Sequence, residues 1–296
     1  MTYQRNVLHS LSRLGAVSLL TAGLIAGAAA APAVAQPAAS SSASFSASSR
    51  PSLPPAARVA LGYVALGDSF TAGQGAPPYA DDGTACLRSR RLSYPTIAAV
   101  VSPYRLIANN ACSGASTADV PAQLLGVDPG VSLVTLTVGG IDAGSNIVLA
   151  ACAADPAGPV CLGAIDASVA QLGVLAPKLV ATYTIVATAL PNATIAVLSY
   201  PRQFKPEISP LGDVLNTATD ALNAVIAGSV AAMGTERVRY VDAAQEFAGH
   251  GIGDRVSFFA FDPLNPFATA NFHPNALGNA LGYARALAHD GLLRRP

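Results

Sequence analysis

The sequence predicts an α/β protein, a flavodoxin-like three-layer α/β/α sandwich around a parallel sheet of about five strands. Five short runs rich in β-branched residues alternate along the chain with segments of helical periodicity. The runs are continuously apolar rather than alternating, which is typical of strands buried on both faces. The chain has 296 residues, which suits one large domain or two small ones, and it contains no internal repeat.

The predicted elements follow one another in a regular order along the chain. The predicted strands are residues 57–67, 104–110, 131–140, 194–201 and 237–243. The predicted helices are residues 94–101, 162–190, 211–234 and 275–293. Because strands alternate with helices, we expect a parallel sheet with helices on both of its faces.

The amino-terminal segment is set apart from the domain by its composition. Residues 1–35 combine Arg5 and Arg13, an apolar stretch over 14–31 and a small-residue site at 33–35, which predicts a secretory signal peptide. The alternative is a membrane anchor, because the apolar stretch approaches spanning length. Residues 36–56 are rich in Ser, Ala and Pro and are interpreted as a linker. The domain is expected over residues 57–296.

Later segments and the overall charge narrow the possible partners. No later segment is long and apolar enough to span a bilayer without a polar or proline interruption, so the mature protein is expected to be soluble and secreted. We expect it to be a monomer. The chain has 17 basic and 17 acidic residues and no long basic run, which argues against nucleic acid as a partner.

The four cysteines do not form a zinc pattern. None lies in a Cys-x-x-Cys pair, and an exported protein meets an oxidising compartment that favours disulfides. Three pairings are possible, and sequence order suggests Cys86 with Cys112 and Cys152 with Cys161. The first pair would close the loop after the first strand, and the second would close a short Pro/Gly-rich excursion. No metal or organic cofactor is expected.

Polar turns follow three of the predicted strands. The first strand ends in Gly-Asp-Ser, with Ser69 at its carboxyl end; the tripeptide alone is equally typical of a helix cap. The other two turns are residues 109–114 and 138–142. Functional groups collect at the carboxyl ends of strands in an open parallel sheet, so these three turns are expected to meet at one site.

A serine nucleophile needs a base, and the histidines are its candidates. His9 falls in the signal peptide, His289 in the charged last helix, and His250 in a loop where a turn or rim role fits. His273 precedes Pro274, which suits the first turn of the final helix. A lone histidine is more often structural, but its combination with a serine at a strand end favours the catalytic interpretation of His273.

These motifs together resemble the SGNH (GDSL) hydrolases, and more narrowly their secreted bacterial lipases and esterases. The residues concerned are GDSFTAGQG, ACSGAST, GG-x-DAG and FHPNALG, in this order, and the similarity runs from about residue 60 to residue 290. The GDS tripeptide is weak by itself. The four blocks at this spacing are specific.

The resemblance implies a role for each matching residue. Ser69 would be the nucleophile, and its own N–H one oxyanion donor. Gly114 would give the second donor through its N–H, and His273 would be the general base and then the general acid. Asp68 is assigned to structure, where it orients the turn.

Two positions depart from the family pattern. The family's third block carries an Asn whose side chain is a further oxyanion donor, and this chain has Ile141 there. The family often places an Asp three residues before the histidine, where this chain has Ala270. A backbone carbonyl can orient an imidazole instead, so a Ser–His dyad is feasible. Asp262 is a conceivable partner, although its spacing does not match the motif.

Three functions are therefore compared. The first is a secreted serine esterase or lipase that acts on a small-molecule or lipid ester through Ser69 and His273, with a weakened oxyanion hole. The second is a protein of the same fold that binds a lipid or a glycan with little or no turnover. The third, a flavodoxin-like nucleotide binder, is disfavoured because the chain has no phosphate-binding loop motif.

Overall fold

The computed structural model describes residues 60–265 and 268–295. The expected signal peptide and linker lie outside these residues. A five-stranded sheet forms the centre of the domain, with all neighbouring strands parallel and the order β2-β1-β3-β4-β5. Its strands are β1 (Leu61–Gly67), β2 (Tyr104–Asn109), β3 (Leu133–Thr137), β4 (Thr194–Leu198) and β5 (Val238–Val241). The predicted three-layer fold is confirmed.

The strand order places a crevice at the ends of β1 and β3. The chain passes from β1 to β2 on one side and then returns to β3 on the other side of β1. Connections therefore leave the carboxyl ends of β1 and β3 in opposite directions, which is the position where open α/β sheets bind their ligands.

Helices cover the two faces of the sheet in separate groups. They are α1 (Ser69–Ala72), α2 (Tyr94–Val100), α3 (Val120–Gln123), α4 (Ser145–Ala154), α5 (Pro159–Ala189) and α6 (Pro210–Ala232), followed near the carboxyl end by a 3₁₀ turn (Ala243–Phe247), a π-helical segment (Gly278–Tyr283) and α7 (Ala284–His289). Helix α5 packs between α4 and α6, whereas α2 contacts the π-helical segment and α7.

The helices differ from the sequence-based expectation in several places. Helices α1, α3 and α4 were not predicted. Helix α5 begins at Pro159 rather than at residue 162, because a proline is well accommodated in a first helical turn. Pro274 was expected in the first turn of the last helix, and this was wrong. It lies before that helix in an isolated bridge with Phe259, and Asn275 caps the helix by accepting from the N–H groups of Leu277 and Gly278.

Helix α5 is unusual in composition. Within the described residues it is the one helix that is long and apolar enough to cross a membrane. Asp166 and Pro177 interrupt its apolar sequence, and its inner face, which includes Leu179 and Tyr183, packs in the main hydrophobic core. The expectation that no segment after the signal peptide spans a membrane stays a prediction.

Both disulfides join the cysteines that sequence order suggested. Cys86 pairs with Cys112 across 26 residues, and Cys152 pairs with Cys161 across 9 residues. The first disulfide holds the segment after α1 against the turn that follows β2. The second joins the end of α4 to the start of α5, in a small apolar cluster with Val148.

Candidate active site

Ser69 lies where β1 turns into α1, at the carboxyl edge of the sheet. The Asp68 side chain caps α1 by accepting from the N–H of Phe70 at 3.0 Å. Gly67 ends β1 with φ +115°, and a Cβ there would lie 2.0 Å from the carbonyl oxygen of Thr137. Glycine thus lets β1 approach β3 closely while the chain turns sharply, and the turn brings the Ser69 hydroxyl to the crevice.

His273 reaches Ser69 from the far end of the chain. Its Nε2 lies 2.9 Å from the Ser69 Oγ, across 204 residues of sequence. Gly75 allows this approach, because a Cβ at residue 75 would lie 2.5 Å from the His273 carbonyl oxygen. The structure therefore places the expected nucleophile and base at hydrogen-bond distance.

A backbone carbonyl orients the imidazole. The Nδ1 of His273 lies 2.8 Å from the carbonyl oxygen of Asn271. Phe272, between them, has φ +62°, an uncommon conformation for a residue with a side chain. With Nδ1 donating to Asn271, Nε2 is left as the acceptor for the Ser69 hydroxyl.

The two carboxylate positions considered from sequence do not serve His273. The carbonyl oxygen of Ala270 accepts from the backbone N–H of His273 at 3.3 Å, and Ala270 has no carboxylate. The Asp262 carboxylate accepts from the N–H of Leu264, and the backbone N–H of Asp262 donates to the side-chain oxygen of Asn271. Asn271 was not singled out in the sequence, and no sequence signal could have found it, because the group it uses is a carbonyl that every residue has.

Burial governs the protonation of His273. Removal of the imidazole from water lowers the pKa of His273 to about 4. The hydrogen bond to Asn271 acts in the opposite direction but is the smaller effect. The imidazole is therefore neutral at neutral pH, which is the form that can accept the hydroxyl proton of Ser69.

Gly114 lies on the opposite side of the crevice, in the turn after β2. It has φ +79°, and a Cβ there would meet nothing within 4 Å. Within the described part of the chain, neither the N–H of Gly114 nor that of Ser69 donates to another protein group. The Ser113 side chain and N–H both bind the carbonyl oxygen of Cys86, so the disulfide of Cys86 holds this turn in place.

The turn after β3 supplies the third side of the site. Ile141 lines the crevice together with Ser69 and Gly114, so the three strand ends do meet, as expected. The Asp142 carboxylate accepts from the N–H and the hydroxyl of Thr117 at 2.9 and 2.6 Å. This aspartate ties the turn after β3 to the segment that carries Gly114.

An apolar cleft of about 420 Å³ opens beside Ser69 and His273. Its aliphatic and aromatic wall comes from the turn after β3, from α4, α5 and α6, and from the segment before His273: Ile141, Val148, Leu149, Leu172, Leu215, Leu222 and Phe272. Ser145, Asn146 and Ser168 add hydroxyl and amide groups. Such a cleft fits a ligand with a substantial apolar part.

Asp68 joins the carboxyl ends of β1, β3 and β4 beneath the nucleophile. Its carboxylate accepts from the hydroxyl groups of Tyr200 and of Thr137, the latter at 2.7 Å. The Tyr200 hydroxyl in turn accepts from the N–H of Gly140 at 3.3 Å. These contacts fit the structural role assigned to Asp68. Tyr200 and Thr137 were missed in the sequence, although both lie at the carboxyl ends of strands, where functional side chains were expected.

Burial also shifts the ionisation of this network. Desolvation raises the pKa of Asp68 to about 6, although the hydrogen bonds from Tyr200, Thr137 and the Phe70 N–H act in the opposite direction. Burial and the neighbouring Asp68 raise the pKa of Tyr200, so its phenol stays protonated and remains a donor to the carboxylate.

The other described histidines lie outside the cleft. His250 stacks on Phe258 with ring centroids 3.9 Å apart, and its Nδ1 lies 3.0 Å from the Val256 carbonyl oxygen. His289 forms an ion pair with Glu246 on the surface of α7 when it is protonated. No group of three or more His, Cys, Asp or Glu side chains in the described ranges is arranged to hold a metal ion.

Known proteins are similar to this chain in sequence and in fold. The model of the GDSL-like Lipase/Acylhydrolase family matches residues 65–281. Lipase 1 of Streptomyces coelicolor is 33% identical over 242 residues, which cover 79% of this chain and 87% of that protein.

Two solved structures are similar over almost their whole length. The extracellular lipase of Streptomyces rimosus has a TM-score of 0.70 and 33% identity, covering 78% of this chain and 99% of that one. Phospholipase A1 of Streptomyces albidoflavus NA297 has a TM-score of 0.69 and 32% identity, with the same coverage.

The family match and the lipase relatives place the chain among ester hydrolases with a three-layer α/β/α fold. The chain belongs to the GDSL-like lipase/acylhydrolase family, in agreement with the resemblance seen in its motifs.

Proposed function

We propose that this chain is a secreted carboxylic ester hydrolase in which Ser69 and His273 act as a dyad. The observation that carries the proposal is the 2.9 Å contact between Ser69 Oγ and His273 Nε2 at the edge of an apolar cleft. The lipase relatives support ester substrates, and the extracellular relative and the leader-like residues 1–35 support secretion.

Acylation of Ser69 begins the proposed reaction. The Oγ attacks the ester carbonyl carbon while its proton passes to Nε2 of His273. The negative charge that forms on the carbonyl oxygen is held by the N–H groups of Ser69 and Gly114. When the tetrahedral intermediate collapses, the bond to the alcohol breaks, and His273 returns its proton to the departing oxygen.

Deacylation repeats these steps with water in place of Ser69. Nε2 of His273 takes a proton from the water as the water attacks the acyl carbon. The second tetrahedral intermediate collapses to the acid, and the proton passes back to Ser69 Oγ. The two steps together consume one water and regenerate the neutral dyad.

Two features predict a slower reaction than in a site that has a carboxylate beside the histidine and a third oxyanion donor. The Nδ1 of His273 faces the neutral carbonyl of Asn271, and among the described residues no carboxylate contacts it to stabilise the imidazolium that forms. Ile141 offers no donor to the oxyanion, and loss of one such donor lowers turnover by about 10²–10³ in other hydrolases.

Labelling with a fluorophosphonate probe tests the proposal. In the exported protein, Ser69 Oγ is expected to displace fluoride from the probe, so mass spectrometry finds the adduct on the peptide that contains Ser69. Ser69→Ala removes both this labelling and the hydrolysis of a short-chain aryl ester. Ser145→Ala is the matched control, because Ser145 also lines the cleft but has no base, and it retains both.

The second candidate is a protein that binds a lipid or glycan without turnover, and Ile141 is the observation in its favour. A folded wild-type protein that is neither labelled nor active on aryl esters would favour this binder. Hydrolysis that persists in Ser69→Ala would place the chemistry at another residue.

A further inference from the structure

The outer surface of α5 is aliphatic although it faces solvent. Over its 31 residues the only charged side chains are Asp166 and Lys178. Val160, Leu162 and Val169 are 72%, 53% and 61% exposed. A helix on the surface of a soluble domain normally turns charged and polar residues outward, so this outer face is unpartnered apolar surface.

This surface is continuous with the wall of the cleft. Leu172 of α5 and Val148 of α4 line the cleft beside Ser69. Val169, close to Leu172 on α5, and Ile147, next to Val148 on α4, are exposed instead, by 61% and 63%. The two helices thus carry apolar side chains from the inside of the cleft, around its mouth, to the outer face of the domain.

We propose that the outer face of α4 and α5 docks on the surface of aggregated, electrically neutral ester lipid, with the mouth of the cleft at the boundary between lipid and water. The proposal rests on the proposed ester hydrolysis, and it names the physical state of the substrate. A lipid molecule then passes from its aggregate into the cleft without its apolar chain crossing water.

The composition of the face favours lipid over a protein partner. Protein contacts derive most of their energy from Trp, Tyr and Arg anchors, whereas the exposed apolar side chains of this face are aliphatic. Asp166 lies four residues after Leu162 and three before Val169, so it is on the same side of α5, and Lys178 is the only cation of this helix. The face therefore offers no electrostatic attraction to an anionic surface. Aliphatic side chains without a cluster of cations match a neutral, fluid surface, for which shape complementarity is not required.

Charge substitution on the outer face tests the proposal. Leu162 and Val169 are seven residues apart and therefore lie on the same side of α5. The test variant is Leu162→Glu with Val169→Glu. The matched control is Val100→Glu with Val101→Glu at the end of α2, where both valines are exposed, by 81% and 64%, on the opposite layer of the domain. All proteins are collected after export, and vesicle binding is measured in the Ser69→Ala background.

The expected result is a difference between the two variants. Flotation with phosphatidylcholine vesicles recovers the parent protein and the control, whereas binding of the Leu162→Glu, Val169→Glu protein falls at least tenfold. With Ser69 intact, all three proteins hydrolyse a dissolved short-chain ester with equal kcat/KM. Equal vesicle binding by test and control variants, or no binding by the parent protein, would overturn the docking proposal.

Two further outcomes separate the alternatives. A parent protein that elutes as a dimer, and becomes monomeric on Leu162→Glu with Val169→Glu, would assign the face to a second copy of the chain and overturn the lipid assignment. Failure to hydrolyse the dissolved ester would refute the proposed function, and that readout is independent of vesicle binding.

Discussion

At the scale of single residues, Ile141 is the departure with the clearest consequence. The motif resemblance predicts that it stands where the family has an oxyanion donor, and it lines the cleft with Ser69 and Gly114. In the proposed reaction, an aliphatic side chain at this point leaves two backbone N–H groups to hold the developing charge. The same side chain also adds apolar surface to the cleft, so it can act through either effect.

Replacement of Ile141 separates the two effects. Ile141→Asn is expected to raise kcat at least tenfold, because a recovered hydrogen bond to a charged oxygen is worth about 1.5–3 kcal/mol and forms in the transition state rather than with the bound ester. Ile141→Leu is the matched control, since Leu is close to Asn in size and has no donor. Steady-state kinetics on one soluble ester measures both. Unchanged or lower kcat in folded Ile141→Asn, with a raised KM, would assign Ile141 to acyl binding alone.

As the proposed base, His273 is expected to set the acid limit of activity. Because burial lowers its pKa to about 4, the base remains neutral well below the pH at which an exposed histidine is protonated. We expect kcat/KM to fall on the acid side with an apparent pKa near 4, measured on an ester that is stable in acid.

The control for this profile is Asp68→Asn, because Asp68 also titrates in the range, with a pKa of about 6. An inflection near pH 6 that disappears in Asp68→Asn would belong to the carboxyl group. An acid limb near pH 6.5 in both proteins would contradict a buried, hard-to-protonate His273.

At the scale of elements, the strands were predictable and part of the helical layer was not. Strands buried on both faces leave continuous apolar runs, and each predicted run contains an observed strand. Helix α4 gives a weak pattern because it is short and rich in Ala. The π-helical segment depends on tertiary contacts, since Asn279 bonds the Tyr94 N–H from a distant element.

The disulfides act on different parts of the site, so their removal is expected to have different effects. Closing 26 residues with Cys86–Cys112 stabilises the fold by about 3.5 kcal/mol in the loop-entropy estimate, and closing 9 residues with Cys152–Cys161 by about 2.6 kcal/mol. Replacing each pair with alanines and measuring urea unfolding checks the order of these losses.

Kinetics of the same two variants reports where each disulfide acts. Loss of Cys86–Cys112 frees the turn that carries Gly114, so kcat is expected to fall. Loss of Cys152–Cys161 loosens α4 and α5, which form the cleft wall, so KM is expected to rise more for long acyl chains than for short ones. Four titratable thiols in the native exported protein would show that neither disulfide forms.

At the scale of the whole molecule, the site exists because the topology joins distant residues. Ser69 and His273 are 204 residues apart in sequence, and composition and periodicity alone do not bring them together. The strand-end rule predicted where Ser69 would lie, and the comparison of the four histidines, together with the family motifs, indicated His273 as its partner. The Asn271 carbonyl and the Tyr200 hydroxyl gain their roles from the folded geometry alone.

Folding favours the neutral forms of both Asp68 and His273. Because one is an acid and the other a base, the two groups change the stability of the fold with pH in opposite directions. Between about pH 4 and pH 6 the folded Asp68 keeps a proton that the unfolded chain releases, so this group makes stability fall as pH rises. In the same range the unfolded His273 binds a proton that the folded protein excludes, so this group makes stability rise with pH. Each effect reaches about 1.4 kcal/mol per pH unit, and the two cancel in the wild-type protein.

Replacing either side chain is expected to reveal the pH dependence of stability that the other one causes. The free energy of unfolding, taken relative to wild type so that the remaining carboxylates cancel, should fall by about 1.4 kcal/mol per pH unit from pH 4 to pH 6 in His273→Gln. In Asp68→Asn it should rise by about the same amount, because only the exclusion of the His273 proton is left. Urea unfolding at half-unit steps from pH 4 to pH 6.5 measures both slopes. Differences from wild type that do not change with pH, in either variant, would contradict the opposed titration of Asp68 and His273.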